Sequence, residues 1–159
     1  MIEIRSDLSV DEQKQTVEAL QSALVDLVDF TLTGKQAHWN VVGPHFRSIH
    51  LQLDELVAAA RKHTDVVAER IVALGGNPDG RAETVARHRS TGELQPGYLP
   101  GVKAVEAIVD RLAVVISGMR EDMRATEAPD PVSQDLLNDA LHDLEEQSWM
   151  FQAMLQPET

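Results

Sequence analysis

The chain has 159 residues, 43% apolar and 25% charged, with a formal charge of −12 and no cysteine. That length supports one domain with a real core, and the missing thiols exclude disulfides, zinc–thiolate sites and iron–sulfur clusters. The acidity disfavours tight binding to nucleic acid through a general basic surface and suits cations instead.

Residues 1–8 read as a short unstructured arm. Ser9 followed by Glu12 has capping-box spacing, and Val17, Leu20, Leu24, Leu27 and Val28 recur at intervals of three and four, which predicts a first helix over 9–39. Gly43-Pro44 breaks it, and Pro44 suits the first turn of a second helix that runs to about Leu74. The run Gly75-Gly76-Asn77-Pro78-Asp79-Gly80 stops that helix. The connection over 75–100 is long for a structureless loop, so 82–89 are expected to form a short helix within it. A crossover of this length makes the second and third long helices run parallel. Pro100-Gly101 opens the third, with the stripe Val105, Val109, Leu112, Ile116, Met119 and Met123. Asp130-Pro131 reads as an N-cap with proline in the first helical position of a fourth, which carries Leu137, Leu141, Leu144, Phe151 and Leu155. No strand pattern competes, so residues 1–159 are expected to form a single all-α domain. No stretch of about 18 residues is apolar and no hydrophobic signal region opens the chain, which predicts a cytoplasmic protein without a membrane span.

The candidate chemistry lies between His38 and Glu69. On a second helix turning about 100° per residue, His50, Asp54, Asp65 and Glu69 fall near 0°, 40°, 60° and 100°, on one face. Phe46, Ile49, Leu53, Leu56, Ala60, Val67, Ile71 and Leu74 cluster on another, where a bundle core would lie. His50 and Asp65 are separated by about 22 Å along a straight helix, so one helix cannot close one metal site from both pairs. A second copy running antiparallel across a two-fold axis would set His50 and Asp54 opposite the other chain's Asp65 and Glu69. The crossing would fall near Ala58-Ala59-Ala60, whose small side chains permit close approach. Imidazoles mixed with carboxylates suit iron, with zinc or manganese as substitutes, and carboxylates tolerate the change from ferrous to ferric charge. The bland alternative is a wet helix face displaying His, Asp and Glu.

The run Lys35-Gln36-Ala37-His38-Trp39-Asn40-Val41-Val42-Gly43-Pro44, followed by His50, Asp54, Asp65 and Glu69, resembles the Dps family of bacterial mini-ferritins, proteins that protect DNA in starved cells. The helix lengths, the long crossover and the stretch Ser133-Gln134-Asp135-Leu136-Leu137 are similar too. The resemblance implies a ferritin-like four-helix bundle with a short extra helix in its crossover. It also implies an intersubunit ferroxidase site: His38, His50 and Asp54 from one chain, Asp65 and Glu69 from its two-fold partner. Twelve such subunits would form a hollow shell that oxidises ferrous iron with hydrogen peroxide, or oxygen, and stores a ferric oxyhydroxide mineral; zinc is the expected substitute metal. Trp39 matches the family's aromatic neighbour of the site, and Asp130, Asp135 and Asp139 match its acidic iron-entry pore.

An intrasubunit ferritin site would carry Glu-x-x-His, which occurs nowhere in this chain. Asp139, His142 and Glu145, spaced by threes, offer a secondary metal site or an ordinary charged face. The alternative function is physical association with DNA in the nucleoid, which many family members achieve through lysine-rich tails. Here the arm before the first helix offers only Arg5 against Glu3 and Asp7, and Gln156-Pro157-Glu158-Thr159 has no base. Twelve chains would together carry −144 formal charges, twelve times −12. Arg81, Arg87, His88 and Arg89 remain as a local basic group, so DNA binding is expected to be weak or absent.

Overall fold

The first helix, α1 (Val10–Asn40), starts at the expected box: the Ser9 hydroxyl accepts from the Glu12 N–H at 3.3 Å, and the Glu12 carboxylate accepts from the Ser9 N–H at 2.8 Å. In this computed structural model, which describes residues 4–88, 90 and 92–157, it is followed by β1 (Val41–Val42), α2 (Phe46–Ala73), α3 (Ala82–His88), β2 (Leu99–Pro100), α4 (Gly101–Glu127) and α5 (Pro131–Ala153). The four long helices form one bundle, and α3 is the short helix of the crossover.

Leu20, Leu27 and Phe30 of α1, Leu53, Leu56 and Ile71 of α2, Ile108, Leu112 and Met119 of α4, and Leu137, Leu144 and Phe151 of α5 are fully buried and meet in one core. Burying each such side chain contributes about 1.5–3 kcal/mol, which stabilises helices whose exposed faces are charged. Gly34 lets α1 approach α2, because a Cβ there would stand 2.7 Å from Val57 Cγ2. Phe46 departs from the expected core stripe: it is 43% exposed and leans on the His50 ring with centroids 4.8 Å apart. It opens α2, where the bundle has not yet closed around the helix.

Polar side chains set the directions. Gln15 Nε2 donates to Ala125 O at 2.8 Å, placing the start of α1 beside the end of α4. Gln52 Nε2 donates to Gln147 Oε1 at 2.7 Å and Arg70 Nη2 to Asp130 Oδ2 at 2.7 Å, so α2 and α5 are antiparallel. Hence α2 and α4 run the same way, as the long crossover requires.

The end of α2 is closed by backbone and by one side chain, Gln13, whose Nε2 donates to Leu74 O at 2.6 Å. Gly75 takes φ 77°, its N–H donates to Val72 O at 2.9 Å, and the Gly76 N–H donates to Ile71 O at 2.9 Å, a Schellman arrangement that favours glycine. Pro44 lies two residues before α2 rather than inside its first turn, because Gly43 O accepts from the Phe46 N–H at 3.0 Å and makes a turn there. The two short strands were not expected: Val41 and Val42 pair in parallel with Leu99 and Pro100, tying the end of α1 to the start of α4. The crossover is fastened to α1 by Gln21, whose amide donates to Asp79 O at 2.9 Å and accepts from the Asp79 N–H at 2.8 Å.

One group on the α1–α4 seam opposes folding at neutral pH. Burial pushes the Asp122 carboxyl up to about 7; the Ser22 hydroxyl opposes this, and the carboxylates of Asp26 and Glu121 add to it. The ordinary value is 3.8, so across roughly pH 4–7 the native state holds a proton that the unfolded chain has released. This penalty is absent below that window and grows to its full size as pH rises through it. Asp122→Asn is expected to raise the unfolding midpoint at pH 8 by roughly 2–6 °C, reflecting about 1–2 kcal/mol after allowance for solvent screening, and to change it little near pH 4. Circular dichroism melts at both pH values check this; equal gains at both would assign the effect to packing instead of charge.

Candidate metal centre

His38 stands at the C-terminal end of α1, and the turn through 41–45 brings α2 back along it, so His50 and Asp54 face His38 across the helix pair. One ligand atom from each of the three lies within 4.8 Å of the others, and this is the one such group found among the described residues. The imidazole rings stack, with centroids 3.6 Å apart and planes inclined by 22°.

The two histidines hold each other in one tautomer. His38 Nδ1 lies 2.9 Å from His50 O, and His50 Nδ1 lies 2.9 Å from His38 O. A carbonyl oxygen only accepts, so each Nδ1 carries the proton and each Nε2 presents its lone pair. Backbone carbonyls thus do for both rings what second partners do for metal-binding histidines generally: they fix ring orientation and leave one nitrogen free to ligate. His38 is 6% exposed while His50 and Asp54 are partly open, so the site has a closed back and an accessible front.

Asp54 Oδ1 lies in direct contact with the Lys35 ammonium and 3.4 Å from His38 Nδ1. The hydrogen bond from Lys35 holds the carboxyl below its ordinary value; burial opposes it, and the charges of His38, Lys35 and His50 add to it. The site therefore presents two imidazole Nε2 atoms and a carboxylate that stays ionised at neutral pH, a mixed nitrogen–oxygen set suited to a divalent transition metal. Lys35 had no role assigned from sequence. Its position one helical turn before His38, on the same face, is the signal that points to it.

Asp65 and Glu69 are exposed and lie further along α2, outside this group. The 15-residue separation from His50 to Asp65, about 22 Å along α2, keeps them from reaching the same ion within one chain. Trp39 is 67% exposed beside His38. The open front continues into an exposed face of α2: Phe46, Leu51 and Val72 are 43%, 44% and 42% exposed, and Ala58 is exposed between them.

The three candidate pore aspartates separate. Asp135 and Asp139 are exposed on α5. Asp130 occupies the N-cap position before Pro131 without capping through its side chain; it is 4% exposed, accepting from Arg70 Nη2 at 2.7 Å and from the Ser133 hydroxyl. Burial alone would raise it, but Ser133 and Arg70 outweigh that and hold it below the ordinary carboxylate range. The trio Asp139, His142 and Glu145 does not assemble as a metal group among the described residues, and Glu145 pairs with Arg120. Of the local basic residues, Arg81 pairs with Asp79 at 2.7 Å, Arg87 pairs with Glu83, and His88 Nδ1 donates to Thr84 O at 2.9 Å. Arg89, Glu3, Glu158 and Thr159 lie outside the described residues. No described helix is long and apolar enough to cross a membrane.

The sequence profile of the ferritin-like domain matches residues 17–158. DNA protection during starvation protein 2 of Deinococcus radiodurans is 31% identical over 146 residues, 92% of this chain, which spans 61% of that relative's length. The DNA protection during starvation protein of Agrobacterium fabrum is 31% identical over 157 residues, covering 96% of this chain and 94% of the relative. A solved structure of Mycobacterium smegmatis Dps superposes with a TM-score of 0.93 at 31% identity, covering 99% of this chain and 95% of that one.

Proposed function

Because this chain belongs to the Dps family of ferritin-like proteins, whose role is iron storage and DNA protection, we propose that it protects by chemistry: it is a ferroxidase acting with hydrogen peroxide at sites shared between subunits. The observation that carries this reading is the cluster of His38, His50 and Asp54, which presents three fixed ligands on an open front and leaves a coordination sphere to be filled. The exposed α2 face supports the partner that fills it. Phe46, Leu51, Ala58 and Val72 share the ligand side of the helix, and an antiparallel α2 pair would cover them while bringing Asp65 and Glu69 of one subunit to His38, His50 and Asp54 of the other.

Ferrous iron is the substrate. The two Nε2 atoms and Asp54 from one subunit, with Asp65 and Glu69 from its partner, would hold two ferrous ions in a ligand set whose carboxylates neutralise the charge that grows on oxidation. Two ferrous ions give two electrons to one peroxide, whose O–O bond breaks. With two waters the products are two ferric oxyhydroxide units and four protons, which pass to solvent. Consuming iron and peroxide together removes both reactants that generate hydroxyl radical. Trp39, adjoining the site, is placed to intercept an oxidising equivalent that escapes it.

In this reading the working assembly is a hollow dodecamer of two-fold dimers in the bacterial cytoplasm, with mineral inside. Exposed Asp135 and Asp139 are the pore acids that draw cations in, while buried Asp130 anchors the helix that carries them. DNA binding is weak or absent at physiological salt, because the charge is −12 per chain and Arg81 and Arg87 already have acidic partners. Anaerobic titration of the protein with ferrous iron and peroxide tests the chemistry, and size measurement tests the shell. Two ferric ions are expected per peroxide consumed, at a rate far above that of buffer alone. Oxidation no faster than in buffer would sink the ferroxidase reading, and a salt-sensitive shift of DNA would favour physical association.

A further inference from the structure

A second group of acids, with no part in the metal site, lies where α3 crosses α1. A cavity of about 350 Å³ separates the two there, lined by Ser22 and Asp26 on one side and by Thr84, His88 and Ser90 on the other. Asp26 is 9% exposed in its wall, and Oδ1 accepts from the Ser90 hydroxyl at 2.7 Å. Its Oδ2 faces Gly118 of α4, where a Cβ would stand 3.1 Å away, so the glycine makes room for the carboxylate. One turn further along α4, Asp122 takes the Ser22 hydroxyl as its partner, while its Oδ2 is enclosed and meets no partner among the described residues. The two flanks of α3 are fastened differently. At Asp79 the Gln21 amide holds backbone groups, which do not titrate; at Ser90 the hold is on a carboxylate. We propose that the Asp26–Asp122 pair is a proton-operated latch: one proton on the pair keeps α3 closed over the cavity, and its loss lets α3 swing outward about the Asp79 end. The inference goes beyond the ferroxidase reading and stands independently of it.

Charge and hydration supply the force. Burial pushes the Asp26 carboxyl up, opposed by the Ser90 hydroxyl and reinforced by the charge of Asp29, and burial holds Asp122 at about 7. Above that value both members are ionised side by side on the seam. The charged groups around them do not relieve this. Glu121 is a neighbour on α4, Asp29 stands one turn along α1, and the Arg111 guanidinium of α4 interacts with Asp110 and Asp29. The crossover brings His88, whose Nδ1 donates to Thr84 O, and Glu93, which lines the next cavity beside Asp29; α5 brings Glu145, which Arg120 already pairs. The second buried charge must therefore be hydrated, and the cavity beside Asp26 is large enough to admit water. The element that yields is α3, because it has seven residues and buries one side chain, Val85, so its movement exposes little apolar area.

Amide hydrogen exchange of the intact protein near pH 6 and near pH 8.5, with each rate divided by the intrinsic rate at that pH, reads the latch directly. Protection over α3 is expected to fall by roughly ten- to thirtyfold between the two, because each pH unit above the Asp122 value adds about a factor of ten to the open population. Amides in the middle of α1 and α4 should change by less than about twofold. Asp122→Asn, which cannot ionise, should keep the acid-side protection of α3 at both pH values. Ser90→Ala should show, already at the lower pH, the weak protection that the wild type shows at the higher. His88→Gln should respond to pH as the wild type does. Equal protection of α3 at both pH values in the wild type would overturn the proposal, as would a pH response that survives in Asp122→Asn or full acid-side protection in Ser90→Ala. Loss of the response in His88→Gln would assign the titration to the imidazole instead of the carboxyl pair. If α1 and α4 lose as much protection as α3, the whole seam loosens and there is no latch.

Discussion

Peroxide-dependent oxidation of ferrous iron is expected to fall on the order of a hundredfold in His50→Ala, and by a similar factor in Asp65→Ala. Equality is the informative part. His50 belongs to the assembled cluster with His38 and Asp54, so its loss removes a ligand nitrogen whose orientation is fixed by His38 O. Asp65 is exposed and lies outside that cluster, so loss of activity there has no explanation within one chain. Mixing the two variants after dissociation and reassembly separates the cases. In a mixed dimer one site lacks both residues and the other is intact, so random pairing should restore about a quarter of wild-type activity. No recovery in mixed shells, with each variant folded, would place both residues in one subunit's site or remove Asp65 from it. Unchanged oxidation in both single variants would leave an acidic helix face that is merely solvated.

Arg70→Ala is expected to lower stability by about 2–4 kcal/mol, seen as a drop in unfolding midpoint of roughly 5–12 °C. Arg70 supplies the cation to Asp130, whose side chain is 5% exposed at the start of α5, and removing it leaves a buried carboxylate without a countercharge, held by the Ser133 hydroxyl and the Val132 N–H. The estimate sits towards the low end for a broken buried pair because the Arg70 side chain is 22% exposed and water can enter. Asp130 has a folded value below its ordinary one, so its stabilisation is present above the ordinary carboxylate range and is lost as pH falls through the folded value. Two results follow for melts between pH 3 and 7: the wild type should lose stability towards acid faster than Arg70→Ala, and the double variant Arg70→Ala with Asp130→Asn should recover part of the loss at pH 7. A melt of Arg70→Ala within about 1 °C of wild type at pH 7 would show that the pair is not what seats α5. The consequence for function is positional: Asp135 and Asp139 follow Asp130 on the same helix, so a displaced first turn moves both proposed entry acids.

Much of this architecture was legible one segment at a time. The Ser9–Glu12 box, the glycines after Leu74, the short crossover helix and Pro131 at the first position of α5 act within a few residues, so periodicity and turn chemistry locate them. Phe46 escaped the same logic, since a helical stripe says which face is apolar but not where the neighbouring helices cease to cover it. Asp130 escaped it too: its place before proline marks the helix start correctly, yet the partner that claims its side chain is 60 residues away.

The sequence by itself determined four long helices, their order and crossover, and a set of histidines and carboxylates on one side of α2, because each of these depends on spacings of three or four residues or on a local backbone preference. Only the tertiary structure decided how those groups are used: that His38 and His50 lock each other's Nδ1, that Lys35 takes one oxygen of Asp54, and that Asp130 is neutralised inside while Asp135 and Asp139 face out. These contacts join residues 12, 19 and 60 positions apart. The free energy of such a contact depends on burial and distance in space, which helical periodicity does not encode.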